Sequence, residues 1–443
     1  LRTSDRLLDC VLPYVDICDR MPIGLILICV LACAAFPDPV IGYQLLSVIC
    51  VALTSWLLFR IARQLASYPA ALAAAAAYPA WLLLFGGVGG QSPVFYNLPM
   101  AAAAAWTMAL AARPGSRRLT AQGCAIMLLA GLAMQIKYSA LFEGMFFGLS
   151  LLWSGWKCGR RLPKLAGDAL LWIAAALVPT LAAYAAYAAM GHGAVFIDTN
   201  FLSIFRDEMP FPPALVRLLW ELLGLAPFWL CAWIAWPRRK PSPRACWIFA
   251  WAGASIAGFL LFGNWFDHYV LPLLPPLSLI AALAFDSVTR QRTAIAMVVG
   301  IGLAAGLPRA AVDMADRGNA REVAALTGLV KPRLGAGCLY VNEDIPILYV
   351  LTRSCLPTRF VFPDHLALRR FQRAIDADQA GELKSLLATR PSVIVILANP
   401  DSDADYATRG LLLTGLKRNY RLIGNTTTGS KVFAVYAVNH PAP

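Results

Sequence analysis

The sequence predicts a mostly α-helical fold, a polytopic transmembrane bundle that carries a small α/β domain at its C-terminal end. Three observations predict it. Of the 443 residues, 59% are hydrophobic and only 14% charged, with mean hydropathy +0.61, whereas a soluble domain carries about 25% charged residues. Apolar runs near the length that crosses roughly 30 Å of hydrocarbon recur between residues 43 and 309. Beyond Arg309 the pattern changes to short β-branched and aromatic segments interleaved with helical ones. The net charge of +13 does not point to nucleic acid. Most of the excess lies in short loops between apolar runs, where membrane topology calls for it.

Ten spans are expected, at about 43–62, 70–88, 95–112, 119–136, 138–154, 165–187, 215–235, 245–263, 268–285 and 293–309. Positive clusters follow the first (Arg60, Arg63), third (Arg113, Arg117, Arg118), fifth (Lys157, Arg160, Arg161, Lys164), seventh (Arg238, Arg239, Lys240, Arg244) and ninth (Arg290, Arg292). All therefore fall on one side, which is the cytoplasm. The opposite side receives residues 1–42, the loop near Gln91, the turn at Lys137, loop 188–214, the loop at Asp267 and the α/β domain, residues 310–443. The chain opens on Leu rather than Met, no signal peptide is visible, and an outside start calls for an earlier helix. A segment ahead of Leu1 is expected.

Residues 22–36 (PIGLILICVLACAAF) are apolar but short for a span. They are expected as a helix along the outer interface; as a span they would place 1–21 in the cytoplasm and leave the later loops unchanged. In the C-terminal domain "CLYVNE", "SVIVILANP", "YRLIGN" and "KVFAVYAV" look like strands, and "HLALRRFQRAI" and "AGELKSLLATR" look helical. Of the eleven cysteines none forms a CxxC pair, and several lie in apolar runs as small buried hydrophobes. Cys338 and Cys355, alone in the C-terminal domain, are a disulfide in an oxidising compartment or two buried thiols.

Candidate chemistry gathers on the outer side. Asp5, Asp9, Asp16, Asp19 and Arg20 precede the short apolar helix. Loop 188–214 adds Asp198, Asn200, Arg206, Asp207 and Glu208, and "GNWFDHYVLPLLPP" adds Asp267, His268 and Tyr269 at a helix mouth. Lys137 and Tyr138 occupy a tight outer turn, with Glu143 in the helix that follows. Ionisable groups at membrane depth are costly and face a polar cavity or a partner. Lys137 breaks the cytoplasmic bias of positive charge. It serves either an anionic group such as a lipid phosphate, or only snorkels or pairs with Glu143. There is no P-loop, "GGVGGQ" lacks the strand–helix setting of a dinucleotide site, and the outer acids have no spacing that demands a divalent metal, which stays a possible cofactor.

These residues carry a resemblance. "LLDCVLPYVDICDRMPIGLIL" resembles the first outer loop of bacterial GT-C superfamily glycosyltransferases, in particular relatives of 4-amino-4-deoxy-arabinose transferase and the protein O-mannosyltransferases. "GGQSPVFYNLPM", "GLAMQIKYSALFEG", "FDHYVLPLLPPL" and "LYVLTRSCLPTRFVFPDHL" fit the same order along nearly the whole chain. The resemblance implies a multi-pass protein of the bacterial inner membrane with its C-terminal domain extracytoplasmic. It also implies an inverting transfer of sugar from a polyprenyl-phosphate donor to a lipid, glycan or protein acceptor. Asp16 and Asp19 are then the acidic candidates for acceptor or sugar contacts or metal support. Arg20, Lys137, Tyr138, Arg206, Asp267, His268 and Tyr269 are the candidates for donor phosphate or sugar. The family's acidic pair, usually Asp-Glu, falls just after a first helix that this sequence does not include, and Cys10, Cys18 and Met21 replace the usual Gly, aromatic residue and Lys. Two rivals are a flippase of polyprenyl-linked sugars, which calls for internal repeats and broken mid-membrane helices, and an inactive polyprenyl-lipid-binding remnant.

Overall fold

The computed structural model describes residues 12–18, 21–111, 118–206, 211–236, 242–261, 263, 265–360, 362–372 and 377–439. Asp5, Asp9, Asp19, Arg20, Asp207 and Glu208 lie outside them. The membrane part is a bundle of α1 (Ile23–Ala35), α2 (Pro39–Ala62), α3 (Tyr68–Leu82), α4 (Ser92–Ala111), α5 (Leu119–Met134), α6 (Ala140–Lys157), α7 (Leu162–Ala189), α8 (Gly193–Ile197), α9 (Phe211–Gly224), α10 (Ala226–Ala235), α11 (Pro243–Leu261), α12 (Leu274–Ser287) and α13 (Gln291–Arg317). Among the described residues six helical stretches are long and apolar enough to cross a membrane, and a seventh is the pair α9–α10. That pair bends by 54° at Leu225. α1 and α5 are shorter apolar helices, and α3 packs into the bundle core. α1 has 13 residues, which at 1.5 Å per residue reach only about 20 Å.

Sequence explains the breaks. The run expected at 70–88 stops at Leu82, ahead of the glycine loop 86–90, where Tyr43 Oη donates to the Gly90 carbonyl at 2.6 Å. The run expected at 268–285 opens as two single 3₁₀ turns, Asp267–Tyr269 and Leu271–Leu273, before α12 begins. Pro272, Pro275 and Pro276 remove backbone donors there. The bundle core is small and aromatic: alanines of α3 and α4 allow close approach around Tyr78, Trp81 and Tyr96, all fully buried. Asn97 satisfies the broken backbone by donating to the Leu271 carbonyl at 3.0 Å.

The C-terminal part continues from α13 through α14 (Ala320–Val330), whose N-terminus carries a capping box between Asn319 and Glu322. A four-stranded sheet follows, ordered β1 (Leu339–Val341), β2 (Val393–Leu397), β4 (Lys431–Val438), β3 (Tyr420–Thr428). β1 and β2 are parallel and the other pairs antiparallel. Its faces are covered by α14 and α15 (Ile347–Thr352) on one side and by α16 (Gln379–Ala388) and α17 (Tyr406–Asn419) on the other. The four strand segments and the helix at 379–388 sit where the sequence places them. The described part of "HLALRRFQRAI", residues 365–372, does not form the expected α-helix: it lies in two short 3₁₀ turns, Pro363–Leu366 and Arg369–Phe371. Leu368 is extended between them because it bridges to Ala404, and the Arg369 amide donates to the Asp403 carbonyl. Cys338 and Cys355 are joined as a disulfide, with Cα atoms 4.8 Å apart.

Candidate functional site

Two chain segments frame the end of the bundle that meets the α/β domain. The first is Leu12–Cys18. Tyr14 packs on Tyr187 (ring centroids 5.3 Å) and Phe196 (6.0 Å), and its hydroxyl donates to the Met21 carbonyl at 2.7 Å. Tyr187 Oη in turn donates to the Pro13 carbonyl at 3.1 Å. Ile17 is fully buried in the core of the α/β domain, and the Cys18 amide donates to the Arg359 carbonyl. This segment therefore ties the C-terminal end of α7 to the α/β domain. Asp16 is exposed on it, with one carboxylate oxygen accepting the Leu12 amide at 2.7 Å. The segment leads into α1, whose Gly24 amide donates to the Gln135 carbonyl at 2.8 Å. That contact lies two residues before Lys137.

The second segment is Trp265–Tyr269, and it meets Lys137. The Lys137 ammonium stands 3.7 Å from the centroid of the Tyr269 ring, a cation–π distance. His268 stacks edge-on against Tyr269 (4.8 Å) and parallel to Phe266 (6.0 Å), and it lies within electrostatic range of Lys137. On the far side of Phe266 lies Arg217 of α9, its guanidinium carbon 4.6 Å from the ring centroid. Three aromatic rings in sequence thus carry a cation on each flank.

Neither cation is neutralised within the described residues. Lys137 makes no ion pair with Glu143. Glu143 is instead buried and accepts from Trp251 Nε1 at 2.6 Å. Arg217 Nε and Nη2 are buried and have no hydrogen-bond partner. An unpartnered buried cation is expensive unless an anion arrives. Beneath Lys137 and Tyr269, between Tyr96, Ser139, Glu143 and Pro272, is a cavity of about 20 Å³. It has room for a water molecule but not for a sugar, so it is the floor of the site.

The other expected residues divide. Asp267 accepts from Arg309 at 3.0 Å; Arg309 also binds Asp313 at 3.1 Å, and Glu221 of α9 lies against Asp267. Asp267 thus ties the 265–269 segment to α9 and α13. Tyr138 turns away from Lys137 and donates to Asn200 Oδ1 at 3.0 Å. Arg206 gives one nitrogen to both oxygens of Asp198 at 2.6 Å. Asp19 and Arg20 lie outside the described residues. Arg217 escaped the sequence reading, although "VRLLWELL" carries its signal, an arginine and a glutamate four apart in an otherwise apolar span. Among the described residues no three His, Cys, Asp or Glu side chains converge as a metal-ligand set. Where α13 meets the α/β domain, a polar cleft of about 500 Å³ opens between Asp313, Asp316 and Arg317 on one wall and Asp344, Thr428 and Lys431 on the other.

Residues 21–183 match the family model described as dolichyl-phosphate-mannose-protein mannosyltransferase. The chain is also similar to the crystal structure of ArnT from Cupriavidus metallidurans bound to undecaprenyl phosphate, with TM-score 0.54 and 14% identity over 94% of this chain and 88% of that one. At that identity the likeness establishes the fold alone, a multi-span helical bundle with a small C-terminal α/β part. No curated protein matches the chain significantly.

Proposed function

We propose that this protein is a membrane glycosyltransferase that moves a sugar from a polyprenyl-phosphate donor to a hydroxyl of a lipid, glycan or protein acceptor, with inversion, at the extracytoplasmic face. The observation that carries the reading is the pair of uncompensated cations, Lys137 and Arg217, flanking the Phe266–His268–Tyr269 rings. A donor phosphate drawn to this cationic site offsets the cost of the uncompensated charge. The sugar leaving that phosphate is the step in which negative charge grows on the phosphate oxygens, so fixed cations act most strongly in the transition state. The family match over 21–183 and the ArnT-like fold support the same reaction class. The outer orientation is supported by the positive clusters on the other side and by the Cys338–Cys355 disulfide, which suits an oxidising compartment.

The reaction balances simply. The acceptor oxygen bonds to the anomeric carbon, the bond from that carbon to the phosphate oxygen breaks, and polyprenyl phosphate departs. The acceptor proton passes to a carboxylate. Asp16 is the described candidate, exposed on the segment that links α7, α1 and the α/β domain; Asp19 is the second candidate. The polar cleft between α13 and the sheet is suited to the hydroxyl-rich end of an acceptor.

The test is transfer of label from a radiolabelled polyprenyl-phosphate sugar into membrane lipid and glycan extracts by the purified full chain. Label should move with wild type and stop with Asp16→Asn and Lys137→Ala, both folded. Transfer unchanged in both variants would overturn the assignment. A flippase would instead move the labelled donor across vesicles without forming a new glycoside.

A further inference from the structure

At the other end of the bundle the structure holds a second, larger concavity. α6, α7 and α11 diverge toward their cytoplasmic ends and leave a groove of about 1530 Å³, backed by the last turn of α4. This exceeds the roughly 300–1,000 Å³ of a small-molecule pocket. Its floor is apolar and fixed: Trp247 Nε1 donates to Ser150 Oγ at 3.0 Å, and Trp247 stacks on Phe147 at 5.8 Å. Its mouth carries Trp153 and Trp156, which are 58% and 54% exposed, in the position of an interfacial aromatic belt.

The charge at this mouth is one-sided. Lys157, at the end of α6, and Arg244, in the first turn of α11, both line the groove and are both exposed. Their neighbours Arg160 and Lys164 are consumed by the buried Asp168, but Lys157 and Arg244 have no acidic partner among the described residues. The N-termini of α7 and α11 open on the same rim and add the positive ends of two helix dipoles. Among the described residues no acidic side chain lines the groove.

We infer that this groove holds one anionic phospholipid of the cytoplasmic leaflet, with its acyl chains along Trp247, Leu165 and Trp153 and its phosphate between Lys157 and Arg244. The size and apolar lining call for chains, and the two unpaired cations call for an anionic rather than a zwitterionic head. The site lies at the opposite end of the bundle from Lys137 and is independent of the donor reading.

The experiment is lipid retention. The full chain is equilibrated in vesicles of mixed phosphatidylglycerol and phosphatidylethanolamine, extracted in mild detergent, washed, and its bound lipid counted by mass spectrometry. Wild type should keep about one phosphatidylglycerol in preference to phosphatidylethanolamine, the tail–head match that the groove provides. Lys157→Ala with Arg244→Ala should lower the preference by roughly 30-fold, the effect of two cations near an anionic surface. Ala166→Trp, which fills the groove without touching a charge, should lower retention of both lipids. Thermal unfolding of each variant confirms that it is folded. Equal retention of the two lipids by wild type, or retention indifferent to both variants, would overturn the proposal, as would displacement of phosphatidylglycerol by undecaprenyl phosphate. The leaflet is tested with Cys246, exposed at the groove, as the sole unpaired cysteine. A membrane-impermeant maleimide should label it only in inverted vesicles, and labelling from the outer side would overturn the cytoplasmic assignment.

Discussion

The ammonium of Lys137 is held 3.7 Å from the centre of the Tyr269 ring rather than against a carboxylate. A ring face steadies a cation without neutralising it, so the charge stays available to an incoming anion. The face of the Tyr269 ring is what this role requires. Tyr269→Phe should keep transfer near wild type, and Tyr269→Leu should reduce it about ten-fold, within the range of a partly desolvated cation–π contact. Lys137→Ala should cost about 100-fold or more in kcat, the scale of a lost transition-state charge contact. Steady-state kinetics on the four proteins decides this; equal loss in Tyr269→Phe and Tyr269→Leu would remove the ring from the account.

Arg217 gives a prediction of opposite sign for binding and for folding. Its Nε and Nη2 are buried without partners, which costs stability in the free protein. Arg217→Met should leave thermal stability unchanged or raise it, while weakening donor binding. Arg217→Lys should not restore affinity, because a point charge does not replace a guanidinium fork on a phosphate. Unfolding curves and donor titrations of both variants provide the check.

The Gly24–Gln135 contact sets how the segment 12–24 approaches the Lys137 turn. A Cβ at Gly24 would stand 2.6 Å from the Gln135 carbonyl oxygen, a backbone atom that cannot swing away. Gly24→Ala should destabilise the protein by about 1–3 kcal/mol through overpacking and lower transfer by displacing Asp16 relative to Lys137. Gly410→Ala, on the exposed face of α17 where an added Cβ meets nothing within 4 Å, is the control and should do neither.

In the α/β domain, Glu343 is buried behind β1 and pairs with Arg409 at 3.3 Å. Burial outweighs the pull of Arg409 and pushes its carboxyl up to about 7. The folded state therefore keeps a proton that the unfolded chain releases near pH 4.5. The sign follows from linkage: stability from this group is complete below about pH 4.5 and is lost as pH rises through about 7. Thermal melts of wild type from pH 4.5 to pH 8 should show this loss, and Glu343→Gln should flatten it. A slope unchanged by Glu343→Gln would assign the dependence elsewhere.

How much was legible in the sequence depended on whether the signal was periodic or three-dimensional. The apolar runs and the four strand segments were readable because burial imposes a period of 3.6 or 2 on a single stretch of chain. Lys137 and the Asp267–Tyr269 run stood out as charge where lipid topology disfavours it, and the fold brings Lys137 onto Tyr269. Arg217 did not stand out, because its isolation is visible only once Phe266 packs over it and Glu221, four residues on, lies against Asp267 instead. Arg206 looked equivalent in sequence, yet Asp198, eight residues earlier, occupies it. The helix expected at 365–375 failed for a similar reason: local propensity favoured it, but Leu368 bridges to Ala404, which lies in a segment remote in sequence.

The most direct test of the account is binding of undecaprenyl phosphate to the full chain in nanodiscs, wild type against Lys137→Ala with Arg217→Ala. A donor phosphate drawn to this cationic site predicts saturable binding by wild type and a loss of roughly 100-fold in the double variant, two lost charge interactions at about 1.5 kcal/mol each. It also predicts that the salt sensitivity of binding is lost with them. Equal affinity in the two proteins would contradict the assignment of this site to the donor phosphate.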